Sequence, residues 1–301
     1  MAGHIQPAPE PQGSTPMSSI SVTHLGNAGN RLFQYFFCAE LARRSGVRSV
    51  HGLDIPEFGI QSASIAPAGR VIQTSPGHLY NVADLAYKLR NGIYDCVNFV
   101  GYAHRLEYYP DLNFLRSLML ALPGHSLEPP GERDLVINIR GAEVLGRAHS
   151  SYGPPPISFY EHLASKTGLT PVFVGQVGDD FYSRELRRRF DGCRFVESHG
   201  AASDFAFLQA AKNLVVAVST FSWLAAWLSV RAEHIHLPVS GFLNPLQRAD
   251  INLCPVSDER YSFYEFPVLH WEGTPRQQAE LLTGSYAGRA LSRTELAKRI
   301  P

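Results

Sequence analysis

Three short stretches of the chain hold residue types suited to binding an anion. The first is Gly26-Asn27-Ala28-Gly29-Asn30-Arg31, set between the alternating run SISVTHL and the apolar run RLFQYFFCAELARRSG. Its glycines let backbone N–H groups approach an anion, and a helix starting there adds the positive end of its dipole. It is neither a full G-x-G-x-x-G nor a P-loop ending in G-K-[ST], and it reads equally as a tight turn. The second is Asn138-Ile139-Arg140-Gly141-Ala142-Glu143, at the end of the apolar run DLVINI. A guanidinium there could grip a diphosphate as a fork and take up charge as a sugar–phosphate bond breaks. The alternative is a surface ion pair between Arg140 and Glu143. The third is Ser219-Thr220-Phe221-Ser222, whose hydroxyls and fresh helix N–H groups suit a phosphate or ribose, or simply cap a helix. Trp223 and Trp227, four residues apart, read as core aromatics.

All three stretches fall where a strand gives way to a loop or helix. SISVTHL, VRSVHGL and YDCVNFVGY read as strands, with a helix from Arg31 to a stop at Gly46 and another over Val82–Arg90. Asp111–Leu122 reads as a helix. DLVINIRG, TPVFVGQ, NLVVAVST and EHIHLPV then alternate with helical runs. Strands alternating with helices predict an α/β fold with parallel sheets, and such folds bind ligands at the carboxyl ends of their strands. Pro123–Arg133 is rich in proline and glycine and marks a boundary. The expected organisation is a disordered tail over 1–18, an N-terminal α/β lobe over 19–128 and a C-terminal Rossmann-like lobe over 129–301.

Composition narrows the function classes. Lys+Arg and Asp+Glu are both 27, so formal net charge is zero, which argues against the basic stripe of a nucleic-acid binder. Cys38, Cys96, Cys193 and Cys254 form no C-x-x-C pair, so zinc and redox spacing are lacking; Cys38 reads as a buried free thiol. The chain has no stretch of about 18 apolar residues, and residues 1–18 lack the apolar core of a signal peptide. A cytoplasmic protein is the expectation.

Taken together, the stretches resemble one family. LGNAGNRLFQYFFCAELA is similar to the G-G-L-G-N-Q-[LM]-F-Q-Y-A opening of the α-1,2-fucosyltransferases. Gly101-Tyr102 with Tyr108-Tyr109, then PISFYEHLA, then DFAFLQAAKNLVVAVSTFSWLAAWLS resemble three further segments in the same order. The family's H-x-R-R-G-D-Y stands here as Asn138-Ile139-Arg140-Gly141-Ala142-Glu143-Val144: the Arg and a carboxylate are kept, the His, second Arg, Gly and Tyr are not. Arg31 stands where the family has Gln, and Asn27 where it has Gly.

The resemblance implies a GT-B-like fold of two Rossmann-like lobes with the donor site in the cleft. It implies an inverting glycosyltransferase moving L-fucose from GDP-fucose to a glycan or glycolipid hydroxyl, with no metal and no other cofactor. Peripheral membrane association is compatible with it. Arg140 and Glu143 would be catalytic. Gly26, Asn27, Gly29, Asn30, Arg31, Asn138, Asp204, Ser219, Thr220, Phe221 and Ser222 would bind the donor, with Asp204 facing the guanine edge or else serving as a first-turn acid. Asp179-Asp180 reads as helix-start charge rather than a metal-binding pair. Glu143, Glu107 and His104 are candidate bases; Tyr102, Tyr108 and Tyr109 are a candidate acceptor floor or core. Loops 54–95 and 145–156 are expected on the acceptor side. Two other readings stay open: a transferase for a different nucleotide sugar, and a non-catalytic nucleotide-sugar or glycan binder. A dinucleotide oxidoreductase is disfavoured because no acidic residue ends the second strand suitably; Asp54 comes late and precedes Pro56.

Overall fold

A computed structural model describes residues 18–119, 127–146, 149–286 and 289–301, with Glu143 described by its backbone alone. The first half forms a parallel sheet from β1 (Ser19–Thr23), β2 (Ser49–His51), β5 (Val71–Gln73) and β6 (Cys96–Val100), in the order β2-β1-β6-β5. Between them lie a two-stranded hairpin, β3 (Asp54–Ile55) and β4 (Ile60–Gln61), and the helices α1 (Ala28–Ser45) and α2 (Val82–Arg90). The apolar residues Leu32, Phe33, Phe36, Phe37 and Leu41 recur at helical spacing, and all are fully buried on α1. The helix stops at Gly46, whose φ of 78° is left-handed and whose N–H bonds back to Ala42. The helix expected to reach Leu122 is α3 (Leu112–Ser117); residues 120–126, which include the first part of the expected linker, lie outside the described residues, as does most of the expected tail.

The second half builds a larger sheet from β7 (Asp134–Ile139), β8 (Thr170–Gly175), β9 (Arg194–Val196), β10 (Asn213–Val215), β11 (His234–Val239), β12 (Tyr261–Glu265) and β13 (Ala290–Leu291). Its order is β13-β12-β11-β10-β7-β8-β9, with β13 antiparallel and the rest parallel. Counted from β7, the parallel strands run 3-2-1-4-5-6, the doubly wound order. The helices are α4 (Ile157–Thr167), α5 (Phe181–Arg189), α6 (Ala201–Gln209), α7 (Thr220–Leu228), α8 (Pro275–Thr283) and α9 (Arg293–Ala297). Strands β7, β8, β10 and β11 are buried on both faces, which is why they read as near-continuous apolar runs. The expected α/β class and two-sheet arrangement hold.

The two sheets share one core. Helix α1 packs on α7: the Phe33 ring lies 5.6 Å from Trp223, and Tyr109 lies 6.2 Å from Trp227. Trp223 is fully buried and its Nε1 donates to the Leu253 carbonyl at 2.7 Å. The expectation that both tryptophans are core residues holds, as does the buried free thiol at Cys38. No helix among the described residues is long and apolar enough to cross a membrane.

Candidate functional site

In the C-terminal sheet the chain winds one way from β7 to β8 and the other way to β10. Loops leaving β7 and β10 therefore part, and a crevice opens between them. It forms a cleft of about 780 Å³ lined by Asn138, Arg140, Gln176, Asp204, Ser219 and Phe221, among others. A recess of about 360 Å³ shares Arg140, Gln176, Ser219 and Phe221 with it and extends to Gly26–Asn30, His149, Tyr152 and Thr220. The glycine-rich turn of one lobe thus faces Arg140 of the other, as the three stretches together suggest.

Four helices begin at this cleft. Helices α1 and α6 start without a side-chain cap, after Asn27 and Gly200. Helix α7 is capped by Ser219, whose Oγ accepts from Phe221 N at 3.2 Å, and α5 by Asp180, whose Oδ1 accepts from Ser183 N at 2.8 Å. Asp180 is helix-start charge, as expected. Asp180, Glu197 and Asp204 line the wider cleft, whereas the recess has Arg140 and the starts of α1, α6 and α7 without a carboxylate in its lining, which suits it to an anion.

Close backbone packing shapes the walls. Gly29 sits where α1 meets α7: a Cβ there would lie 2.6 Å from both Phe221 N and Thr220 Oγ1. Thr220 Oγ1 also donates to Asn30 Oδ1 at 3.0 Å. Gly26 has a φ of 71°, the left-handed backbone the turn requires. Ala142 holds a φ of 44° at the cleft wall, a strained conformation for a residue with a side chain. Asn138 is buried and donates to the Val174 carbonyl at 3.3 Å. Both oxygens of Asp204 are engaged: Oδ2 accepts from Ser198 Oγ at 2.6 Å and Oδ1 from His199 N at 3.2 Å. Asp204 is a first-turn acid that holds the loop before α6 while also lining the cleft.

Two expected donor residues lie elsewhere. Arg31 points away from the cleft, its Nε donating to Gly26 O at 3.2 Å and its NH1 to Asp54 O at 3.1 Å, where it ties the turn to the hairpin. Ser222 is fully buried, and its Oγ accepts from Ala217 N at 3.2 Å. Among the candidate bases, His104 is walled in by Phe33, His78 and Tyr102, and burial holds its pKa well below the usual value. Glu107 pairs with Arg105 and accepts from Asn252 Nδ2 at 3.1 Å, in another depression of the surface. The side chain of Glu143 lies outside the described residues. Tyr108 and Tyr109 are core: Tyr108 OH donates to His78 O at 3.0 Å and Tyr109 OH to Ala103 O at 2.8 Å. Tyr102 is half-buried and stacks on His78 at 5.4 Å.

His149 and Tyr152, in the loop over 145–156 expected on the acceptor side, line the recess beside Arg140, and Gln176 and Arg187, which were not among the expected site residues, line the cleft. Gln176 follows β8 and carried a usable signal, since it stands at the carboxyl end of a strand. Tyr152 lies beside Arg140: burial pushes its phenol pKa up, and the guanidinium partly opposes that. Among the described residues, no group of three or more His, Cys, Asp or Glu side chains is placed to hold a metal ion.

No protein-family model matches the chain, and no curated protein matches it by sequence. Among solved structures it is similar to a point mutant of Arabidopsis thaliana FUT1 in complex with GDP, at 10% identity and a TM-score of 0.46, over 75% of this chain and 71% of that one.

Proposed function

We propose that the chain is an inverting glycosyltransferase that takes a sugar from a GDP-sugar, with GDP-fucose the donor implied by the sequence resemblance. One observation carries the reading: Arg140, the glycine-rich turn and the starts of α1, α6 and α7 line one recess at the reversal point of a doubly wound sheet. As the bond from the anomeric carbon to the β-phosphate oxygen breaks, negative charge grows on that phosphate. Arg140 and the amides at the start of α1 take up the charge, the role a divalent metal plays in other transferases. Asp204 and the loop it holds lie toward the base end of the nucleotide. The acceptor, a glycan or glycolipid hydroxyl, enters from the N-terminal lobe, where Tyr102 offers a half-buried ring.

A second reading keeps the fold and changes the sugar. Asn138 stands where the resembled signature has histidine, and its amide serves the Val174 carbonyl. That altered wall motivates a different GDP- or UDP-sugar, or binding without turnover.

The test is thermal unfolding with GDP, UDP, CDP, GDP-fucose and GDP-mannose. A ligand at about 100 times its Kd adds about 2.7 kcal/mol of stability. The GDP compounds should raise the midpoint of the natural protein and leave that of Arg140→Ala unmoved. A shift with UDP compounds alone would replace the donor, and no shift with any nucleotide would end the reading.

A further inference from the structure

We propose that His149 is a hydrogen-bond donor to the leaving diphosphate and not the base that takes the acceptor's proton. The inference rests on the donor reading of the cleft.

The ring of His149 lines the same recess as Arg140 and the glycine-rich turn. Its Nδ1 lies 3.1 Å from the backbone N of Ser151. A backbone N–H can only donate, so Nδ1 must accept, and the proton of the neutral ring sits on Nε2. Nε2–H is then the one polar group the ring has left to offer, and it can give a hydrogen bond but cannot receive a proton. His149 is exposed, but what burial it has, and after it the charge of Arg248, hold its pKa below the ordinary value, which favours the neutral ring at neutral pH. A neutral imidazole is a competent donor to developing negative charge.

The turn that carries the ring is fixed before any ligand arrives. Tyr152 N donates to His149 O at 3.1 Å, Phe242 N to Ser151 O at 3.0 Å, and Trp271 N to Ser150 O at 2.8 Å. Gly241 makes the docking possible, since a Cβ there would lie 2.2 Å from the Ser151 carbonyl oxygen. Tyr152 meets the imidazole edge-on at 5.4 Å and packs on Phe242 at 4.8 Å. With the turn fixed and the ring held at Nδ1 and against Tyr152, the donor needs little reorganisation as charge appears, which is the condition for an effect on rate.

In the transfer step the acceptor oxygen bonds to the anomeric carbon, and the bond from that carbon to the β-phosphate oxygen breaks. The electron pair stays on the phosphate, between Arg140 and Nε2–H of His149. The acceptor's proton leaves to another group or to solvent.

Calorimetric titration with GDP decides the matter in four proteins: the natural chain, His149→Phe, His149→Gln and Arg140→Ala. A lost hydrogen bond to a charged group costs roughly 1.5–3 kcal/mol, so His149→Phe should weaken GDP at least about tenfold. His149→Gln, which keeps a neutral N–H donor, should recover most of that loss. Affinity for GDP unchanged in His149→Phe, or His149→Gln as weak as His149→Phe, overturns the proposal while the donor reading stands. Unchanged GDP affinity in Arg140→Ala overturns the donor reading, and this proposal with it.

Discussion

At the scale of single residues, the proposed chemistry turns on the shape of a guanidinium. Arg140 leaves β7 at its carboxyl end and lines both the cleft and its recess. A planar fork can hold two phosphate oxygens at once, whereas an ammonium acts as a point charge. Arg140→Lys should therefore keep part of the GDP affinity yet lower the transfer rate by at least about tenfold, on the scale at which single preorganised donors act. GDP release from GDP-fucose measures it, and a natural rate in that variant would remove the fork from the mechanism. That Arg140, Ser219 and the glycines line the cleft or its recess was legible in the sequence, because strand ends and helix starts are where such folds open their crevices. Ser222 and Arg31 were not, for a rotational reason. Ser222 comes three residues after the cap Ser219, and at that turn of α7 its hydroxyl points back to Ala217. Arg31 is long enough to reach the hairpin carbonyl of Asp54, a contact no local pattern announces.

At the scale of elements, the glycine-rich turn has a packing duty beside any ligand duty. The contact of α1 with α7 at Gly29 brings backbone to backbone, and backbone cannot swing aside as a side chain can. Gly29→Ala must therefore part the two helices. It should destabilise the fold by about 1–3 kcal/mol, despite alanine's better helix propensity, and weaken GDP because the recess wall moves. Denaturant titration and GDP binding measure the two effects; a variant as stable as the natural chain would contradict this packing. The longer elements of the chain announce themselves. Helix α1 has five buried apolar residues at regular spacing, and β7 and β8 are long apolar runs. The two-residue strands β3, β4 and β13 are too short to carry a period; β3 and β4 pair only with each other, and β13 pairs with the distant β12.

At the scale of the whole molecule, the α/β class and the two sheets followed from alternating strands and helices. The shared core did not, because packing Phe33 on Trp223 joins residues 190 positions apart and leaves no local trace. That core predicts cooperative behaviour. The chain should unfold in one calorimetric transition, and Trp223→Ala should lower its stability by about 3–5 kcal/mol without splitting it. Two resolved transitions would mean that the lobes melt apart. The bridge from α1 to α7 also fixes the cleft's width when the chain folds. Swinging the lobes apart would expose the Phe33 and Trp223 rings to water, so a widely open form is a rare visitor rather than a resting state. On the proposed function, a nucleotide would meet a population already competent to bind it, and its apparent affinity would not be diluted by a closing equilibrium.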